Sequence, residues 1–267
     1  MPESPALRTE SFASEGKSGD CFRIAVYDGK GFSEQDERLI REVPLAVYLN
    51  DRRVITIACA GLCVDELAVG FLRSEGFLRT REDVAAVAVS PDQTVVRIRT
   101  AAGWEIPDSE TQEGRTLASS GARGFGRSVE VSPAEPMPAK VSLAPEVILG
   151  LMERFLERAR LHEETGGTHA AALARSGKIL VVREDIGRHN TIDMLGGYAL
   201  LHGVDCRDAV ILRTGRVSSE IVHKIRRLGV PLVCSLSVPT TQAVEMAREA
   251  GMTLVGSIRR GCMKIYS

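Results

Sequence analysis

An excess of charge of either sign is what this chain most lacks. Its 34 Lys and Arg nearly balance 35 Asp and Glu over 267 residues, for a formal net charge of −1 and a pI near 6.5. That balance argues against a nucleic-acid binder that works through bulk positive charge, while leaving room for a local basic pocket. Long apolar runs are missing too. No window approaches the roughly 20 apolar residues of a membrane span, and the first twenty residues are polar and rich in Ser, Glu and Gly, without the apolar core of a secretory signal. A cytoplasmic protein with no membrane partner is expected. The cysteines are scattered, at Cys21, Cys59, Cys63, Cys206, Cys234 and Cys262. Most sit in apolar runs, where a free thiol packs as a small hydrophobe, which is cytosolic usage rather than a disulfide framework. Cys59 and Cys63 stand four apart with no second Cys or His pair to complete a tetrahedral zinc site, so no metal site is expected. A Walker A sequence, a G-x-S-x-G elbow and the H-x-E with P-C-x-x-C of zinc deaminases are all lacking.

What is present is an ordinary globular composition, 44% apolar and 26% charged, in a length suited to one or two domains. Residues 1–20 read as a flexible tail. Residues 21–143 read as an N-terminal α+β domain, smaller in ordered content because 101–143, full of Gly, Ser and Pro, read as a mobile loop. Within it "FRIAVYDG", "VPLAVYLNDRRVITIACA", "VAAVAVS" and "TVVRIRT" have strand composition, with Asn50-Asp51 as a hairpin turn. "VDELAVGFLRSEGFL" carries a helical face behind Asp65 as N-cap. Residues 144–267 read as a C-terminal α/β ligand-binding domain. A long helix from Pro145 to Leu161 leads into a hairpin about Ser176-Gly177. Three strand–helix pairs follow, with helices at 191–201, 218–228 and 239–250, and then a last strand, "TLVGSI". The alternation predicts a largely parallel sheet.

In such sheets ligands bind at the carboxyl ends of strands, where helix N-termini present free N–H groups. Four strand ends here carry the chemistry of an anion cradle. The first is "REDIGRHN", in which Asn190 and Asp193 can form a variant capping box that leaves Arg188 and His189 projecting. The second, "RTGRVSSE", offers Arg213, Gly215, Arg216 and Ser218. The third offers Ser235, Ser237 and Thr240 around Pro239, and the fourth runs into Arg259 to Gly261. Each alone has a plain structural explanation: Glu184, Asp185, Arg183 and Arg188 as an ion-pair network, His169 or His189 as a hydrogen-bonded structural residue, Ser218 and Thr240 as helix caps. Their shared edge is what points to a phosphate-bearing ligand.

The strings "TGGTHAAAL" at 165–173, "REDIGRHNTID" at 183–193, "TGRVSSEIVHK" at 214–224, "PTTQAV" at 239–244 and "GMTLVGSIRRG" at 251–261, with "DELAVGFLRSEGFL" at 65–78, resemble the FdhD/NarQ family of formate dehydrogenase accessory sulfurtransferases. The resemblance implies a homodimer whose C-terminal domain has a cytidine-deaminase-like α/β fold without zinc. It implies transfer of sulfur from a cysteine desulfurase to the bis(guanine dinucleotide) molybdopterin cofactor of molybdenum or tungsten formate dehydrogenase, with GDP a mimic of that cargo. The candidate cofactor-binding residues are His169, Arg188, His189, Arg216, Ser218 and the run Ser257, Ile258, Arg259, Arg260, Gly261 and Cys262. The sequence departs from the family at one place of consequence. Where the family carries a Cys-x-x-Cys pair, "ASSGARGFG" places Gly121 and Gly124, and glycine cannot carry sulfane sulfur. Three alternatives follow: a cofactor-binding chaperone, a sulfur relay moved to another thiol such as Cys262, or a regulatory nucleotide-binding paralogue.

Overall fold

The computed structural model describes residues 19–101, 116–117, 137 and 141–267. Strand β1 (Gly19–Tyr27) pairs with β2 (Phe32–Ile40) in an antiparallel hairpin. β1 thus starts two residues inside the segment expected as a tail, and β2 was not legible, because "FSEQDERLI" has no apolar face to announce it. Next come β3 (Val43–Leu49) and β4 (Arg52–Cys59), turned at Asn50 and Asp51, whose φ of 48° and 65° are those of a type I′ hairpin. Helix α1 (Val64–Ser74) follows, then β5 (Val84–Val89), β6 (Val95–Thr100) and the short β7 (Thr116–Leu117). These strands form one sheet in the order β5-β6-β3-β4-β7. Asp65 is not the cap of α1. Left-handed Cys63 holds that position, and Asp65 lies in the first turn, where it still meets the positive end of the helix.

The second half begins with α2 (Pro145–Arg158), entered through Pro145 as its missing N–H allows. The helix expected to run unbroken to Leu161 stops at Ala159, where ψ swings to 64°, and α3 (Arg160–Thr165) restarts it. Then follow β8 (His169–Arg175), β9 (Lys178–Asp185), α4 (Asn190–Leu201), β10 (Ala209–Arg213), α5 (Ser219–Leu228), β11 (Leu232–Ser235), α6 (Thr241–Glu249), β12 (Thr253–Arg259) and β13 (Cys262–Ile265). The sheet order is β13-β12-β11-β10-β8-β9. It is mixed rather than largely parallel: β10, β11 and β12 pair in parallel, but β8 runs antiparallel to both its neighbours and β13 antiparallel to β12. β9 nevertheless points the same way as β10 to β12, so the four carboxyl ends do lie on one edge. The amino end of β8 joins them there.

Packing follows from apolar alternation. On one face of this sheet Ile148, Leu151, Met152 and Phe155 of α2 meet Ala172, Leu212 and Cys234. On the other, Ile192 and Leu195 of α4, Ile221 and Ile225 of α5 and Ala247 of α6 meet Leu173, Ile211 and Val233. All of α4 except Tyr198 and Leu201 is buried, because its outer face is covered by α1, which in turn lines the five-stranded sheet with Leu67, Phe71 and Leu72. Glycines permit that crossing. A methyl group at Gly70 would lie 1.7 Å from the Asp193 carbonyl oxygen, and one at Gly197 would lie 1.9 Å from that of Glu66.

Candidate functional site

The charged run after β9 divides by role. Arg183 forms a two-armed ion pair with Glu66 of α1. Glu184 accepts the backbone N–H groups of Leu161 and His162 at the restart of α3. Asp185, fully buried, accepts from the Ala60 and Gly187 N–H groups and from Asn190 Nδ2, and burial raises its pKa to about 6 against those donors. Asn190 spends its amide on the Ala58 carbonyl and on Asp185 instead of capping α4, and Asp193 turns to Lys224 and Ser74. The capping box read from the sequence is therefore not formed: both polar groups found stronger partners across the helix interface. With three charges tied down, Arg188 and His189 are left facing the sheet edge.

At that edge unsatisfied polar atoms collect. Among the described residues, the buried side-chain nitrogens and oxygens without a hydrogen-bond partner are Thr168 Oγ1, Arg188 Nε, both ring nitrogens of His189, Arg213 Nη1 and Ser218 Oγ. All come from three neighbouring chain crossings: the entry to β8, the β9–α4 turn and the β10–α5 turn. Gly215 sits between them. A Cβ there would meet Arg213 Nη2 and His169 Nδ1 at 3.2 Å and Arg188 Cβ at 3.3 Å. Its carbonyl is fixed by Arg213 Nε at 3.0 Å and Ser235 Oγ at 2.9 Å, which holds the turn in place. Buried polar groups are normally paired, so an orphaned set on one surface marks a place where a ligand supplies the missing partners.

The electrostatics point to an anion. Arg213 is 1% exposed, and its pKa falls to about 9 through burial and then through Arg188. Burial lowers His189 to about 3, with Lys224, Arg188 and Arg213 adding to the effect. His169 is lowered too, by burial first and then by Arg213 and Arg188. Glu220 offers a carboxylate oxygen 3.1 Å from His189 Nε2, without the alignment of a hydrogen bond. Two guanidinium groups, two neutral imidazoles and two hydroxyls suit the oxygens of a phosphate.

The remaining candidate residues are placed as follows. Ser218 is at the N-cap of α5, as expected, but its hydroxyl caps nothing, whereas Thr240 caps α6 by accepting from Ala243 N–H. Arg216 is exposed on the β10–α5 turn. Ser257 is buried with its hydroxyl 3.3 Å from that of Tyr266, and the side chain of Ile258 is taken up by the core. Arg259, Arg260, Gly261 and Cys262 are exposed on the β12–β13 turn, with Arg260 and Gly261 at φ of 50° and 72°. Thr168 stands outside the residues read from the sequence, and Arg213, read there at the "RTGRVSSE" strand end, stands outside the cofactor-binding set. Arg213 had a signal, a lone charge closing the otherwise apolar strand "AVILR"; Thr168 had none. Burial pushes the thiols of Cys59 and Cys234 up to about 12, that of Cys63 up to about 11 and raises that of Cys206, which makes them poor nucleophiles, while Cys21 and Cys262 are exposed. Gly121 and Gly124, with the rest of "ASSGARGFG", lie outside the described residues.

Comparison with known proteins gives the chain relatives over most of its length. The FdhD/NarQ family pattern matches residues 40–267. The sulfur carrier protein FdhD of Bacillus subtilis is 33% identical over 243 residues, covering 90% of this chain and 92% of that protein. Its namesake in Geobacillus kaustophilus is 35% identical over 246 residues, covering 91% and 93%. Among solved structures, a Desulfotalea psychrophila protein assigned as a formate dehydrogenase accessory protein superposes with a TM-score of 0.79 over 93% of this chain and 97% of its own. At 24% identity that likeness speaks to the fold.

Proposed function

This chain belongs to the FdhD/NarQ family, and from that premise we propose that it is a formate dehydrogenase accessory protein that holds a guanine-dinucleotide molybdopterin by its phosphates at the carboxyl edge of the six-stranded sheet. The observation that carries the reading is the convergence of orphaned polar atoms from Thr168, Arg188, His189, Arg213 and Ser218. The dinucleotide is rich in phosphate, and the guanidinium groups of buried Arg213 and half-buried Arg188 would hold it with charge-assisted bonds. Arg216 and Arg259, exposed on neighbouring turns, are placed to reach parts of a cargo that extends along the edge.

Calorimetric titration with GDP tests the placement. Arg188→Gln removes one charged donor and is expected to weaken binding about tenfold or more. Thr168→Val removes a hydroxyl that the free protein leaves unpaired, so it should weaken GDP binding without lowering the melting temperature. Wild-type GDP affinity in both variants would move the ligand elsewhere.

Sulfur relay is the second reading, favoured by the exposure of Cys262 on the β12–β13 turn at the same edge. Incubation with a cysteine desulfurase and cysteine, followed by intact-mass measurement, separates the two readings. With glycine at 121 and 124 the expected outcome is no gain of a sulfur atom. A gain that Cys262→Ser abolishes would establish relay through that thiol.

A further inference from the structure

The far end of α4 opens on a second cluster of positive charge. A cleft of about 210 Å³ lies there between the chain that leaves α1 and the chain that leaves α4, bounded by Arg73, Arg79, Thr80 and Arg81 on one wall and by Leu200 and Asp205 on the other. Arg73 is half-buried and uses Nη1 on the Gly196 carbonyl, 3.1 Å away; Arg81 uses Nη1 on the Val84 carbonyl, 3.0 Å away. Among the described residues no carboxylate lies within ion-pair distance of the three arginines, although Arg79 is near enough to Asp83 to help lower its pKa. The nearby acids are engaged elsewhere. Asp205 takes the Arg207 guanidinium through three contacts of 2.6 to 3.0 Å, and that bonding lowers its pKa to about 2. Asp83 accepts the backbone N–H groups of Arg79 and Thr80.

Part of this charge has a structural task. Arg73 in the last turn, and Arg227 through its bond to the Ser74 carbonyl, compensate the negative carboxyl end of α1, and Arg73 also ties that end to α4 at the Gly196 carbonyl. That task does not account for Arg79 and Arg81, which stand beyond the helix on the turn into β5. Nor does it account for a cleft left open between them. Burial lowers the pKa of Arg73, a cost that an anion beside it would offset.

We propose that the Arg73, Arg79 and Arg81 cleft is a second anion site, separate from the sheet edge, that takes a small multivalent oxyanion of the phosphate class. The cleft is smaller than the about 300 Å³ at which pockets for drug-sized ligands begin. Inorganic phosphate or a compact phosphate monoester suits it, and a dinucleotide does not. Three guanidinium groups with free N–H donors supply bidentate geometry, and the apolar back wall at Leu200 keeps the competing water on one side.

Titration of the full chain with inorganic phosphate, followed by amide NMR against chloride at equal ionic strength, tests this. Saturable shifts are expected at Thr80, Gly203 and Val204. They should need about tenfold more phosphate or greater in the Arg79→Gln, Arg81→Gln double variant, whose substituted side chains contribute no ion pair to the fold. The amide of Gly215 reports the sheet edge separately. The proposal is overturned if the cleft amides do not move, if chloride moves them equally, or if the double variant titrates as the wild type does.

Discussion

His189 shows how burial prepares a single side chain. Its ring is enclosed, and burial with Lys224, Arg188, Arg213 and His169 outweighs the Glu220 carboxylate 3.1 Å from Nε2 and holds its pKa down to about 3, so it is neutral in the free protein at ordinary pH. A phosphate beside it would favour the imidazolium and lift that value. GDP binding should therefore take up protons near pH 6, measurable as a dependence of the binding enthalpy on buffer ionisation heat. GDP's own terminal phosphate titrates in the same range, so the comparison that decides is His189→Gln, which should bind with less uptake. Equal uptake in that variant would remove His189 from the site. Folding stability carries the same sign of shift for a different reason. A histidine whose folded pKa lies below its unfolded value costs stability as pH falls from about 6.5 toward 3, and His223, lowered to about 4 by burial, adds to this. Asp185, raised to about 6, works in the opposite direction between about 4 and 6, because its neutral form is the one burial favours.

Among the elements, α4 joins the two halves, and its glycines decide whether it can. Glycine is unfavourable in a helix interior, yet Gly197 in "MLGGYALL" is where the backbone of α1 passes with no room for a methyl group. Gly197→Ala is expected to cost about 3 kcal/mol or more, since the obstacle is backbone rather than a movable side chain. Gly203→Ala, at φ 63° with open space around it, should cost about 1 kcal/mol. Denaturant melts of equal midpoint would contradict the close approach. Legibility followed the same line between local and distant causes. The hairpin turns at Asn50-Asp51 and Ser176-Gly177, the Pro145 entry and the Thr240 cap are set by neighbouring residues and were readable. The fates of Asn190 and Asp193 were not, because each was claimed by a partner far off in the chain, Ala58 for the one and Lys224 for the other, and Asp65 was displaced from the cap when Cys63 took the left-handed conformation there. At the site, Arg188 and His189 could be found from a strand–helix turn dense in charge. Thr168 could not, because its importance arises when antiparallel β8 brings its amino end to an edge otherwise made of carboxyl ends.

At the scale of the whole molecule, the two sheets should melt as one body. Polar struts join them beside the apolar seam of α1 and α4, among them Arg183 with Glu66, Asp185 with the Ala60 N–H, and Lys224 with Asp193 and Ser74. Of the two ion pairs the last is the more enclosed, with Lys224 and Asp193 side chains 13% and 3% exposed. Removing one member of such a pair leaves an ion in a place water does not reach, which costs about 3 to 5 kcal/mol, while an exposed pair such as Arg23 with Glu34 contributes about 1 kcal/mol or less. Asp193→Asn should therefore lower the unfolding midpoint far more than Arg23→Gln. In scanning calorimetry the wild type should show a single transition, because exposing α1 strips the cover from α4 and so from the six-stranded sheet. Two resolved transitions in the wild type, or an Asp193→Asn midpoint no lower than that of Arg23→Gln, would mean that the halves are stable apart and that the struts merely decorate their boundary.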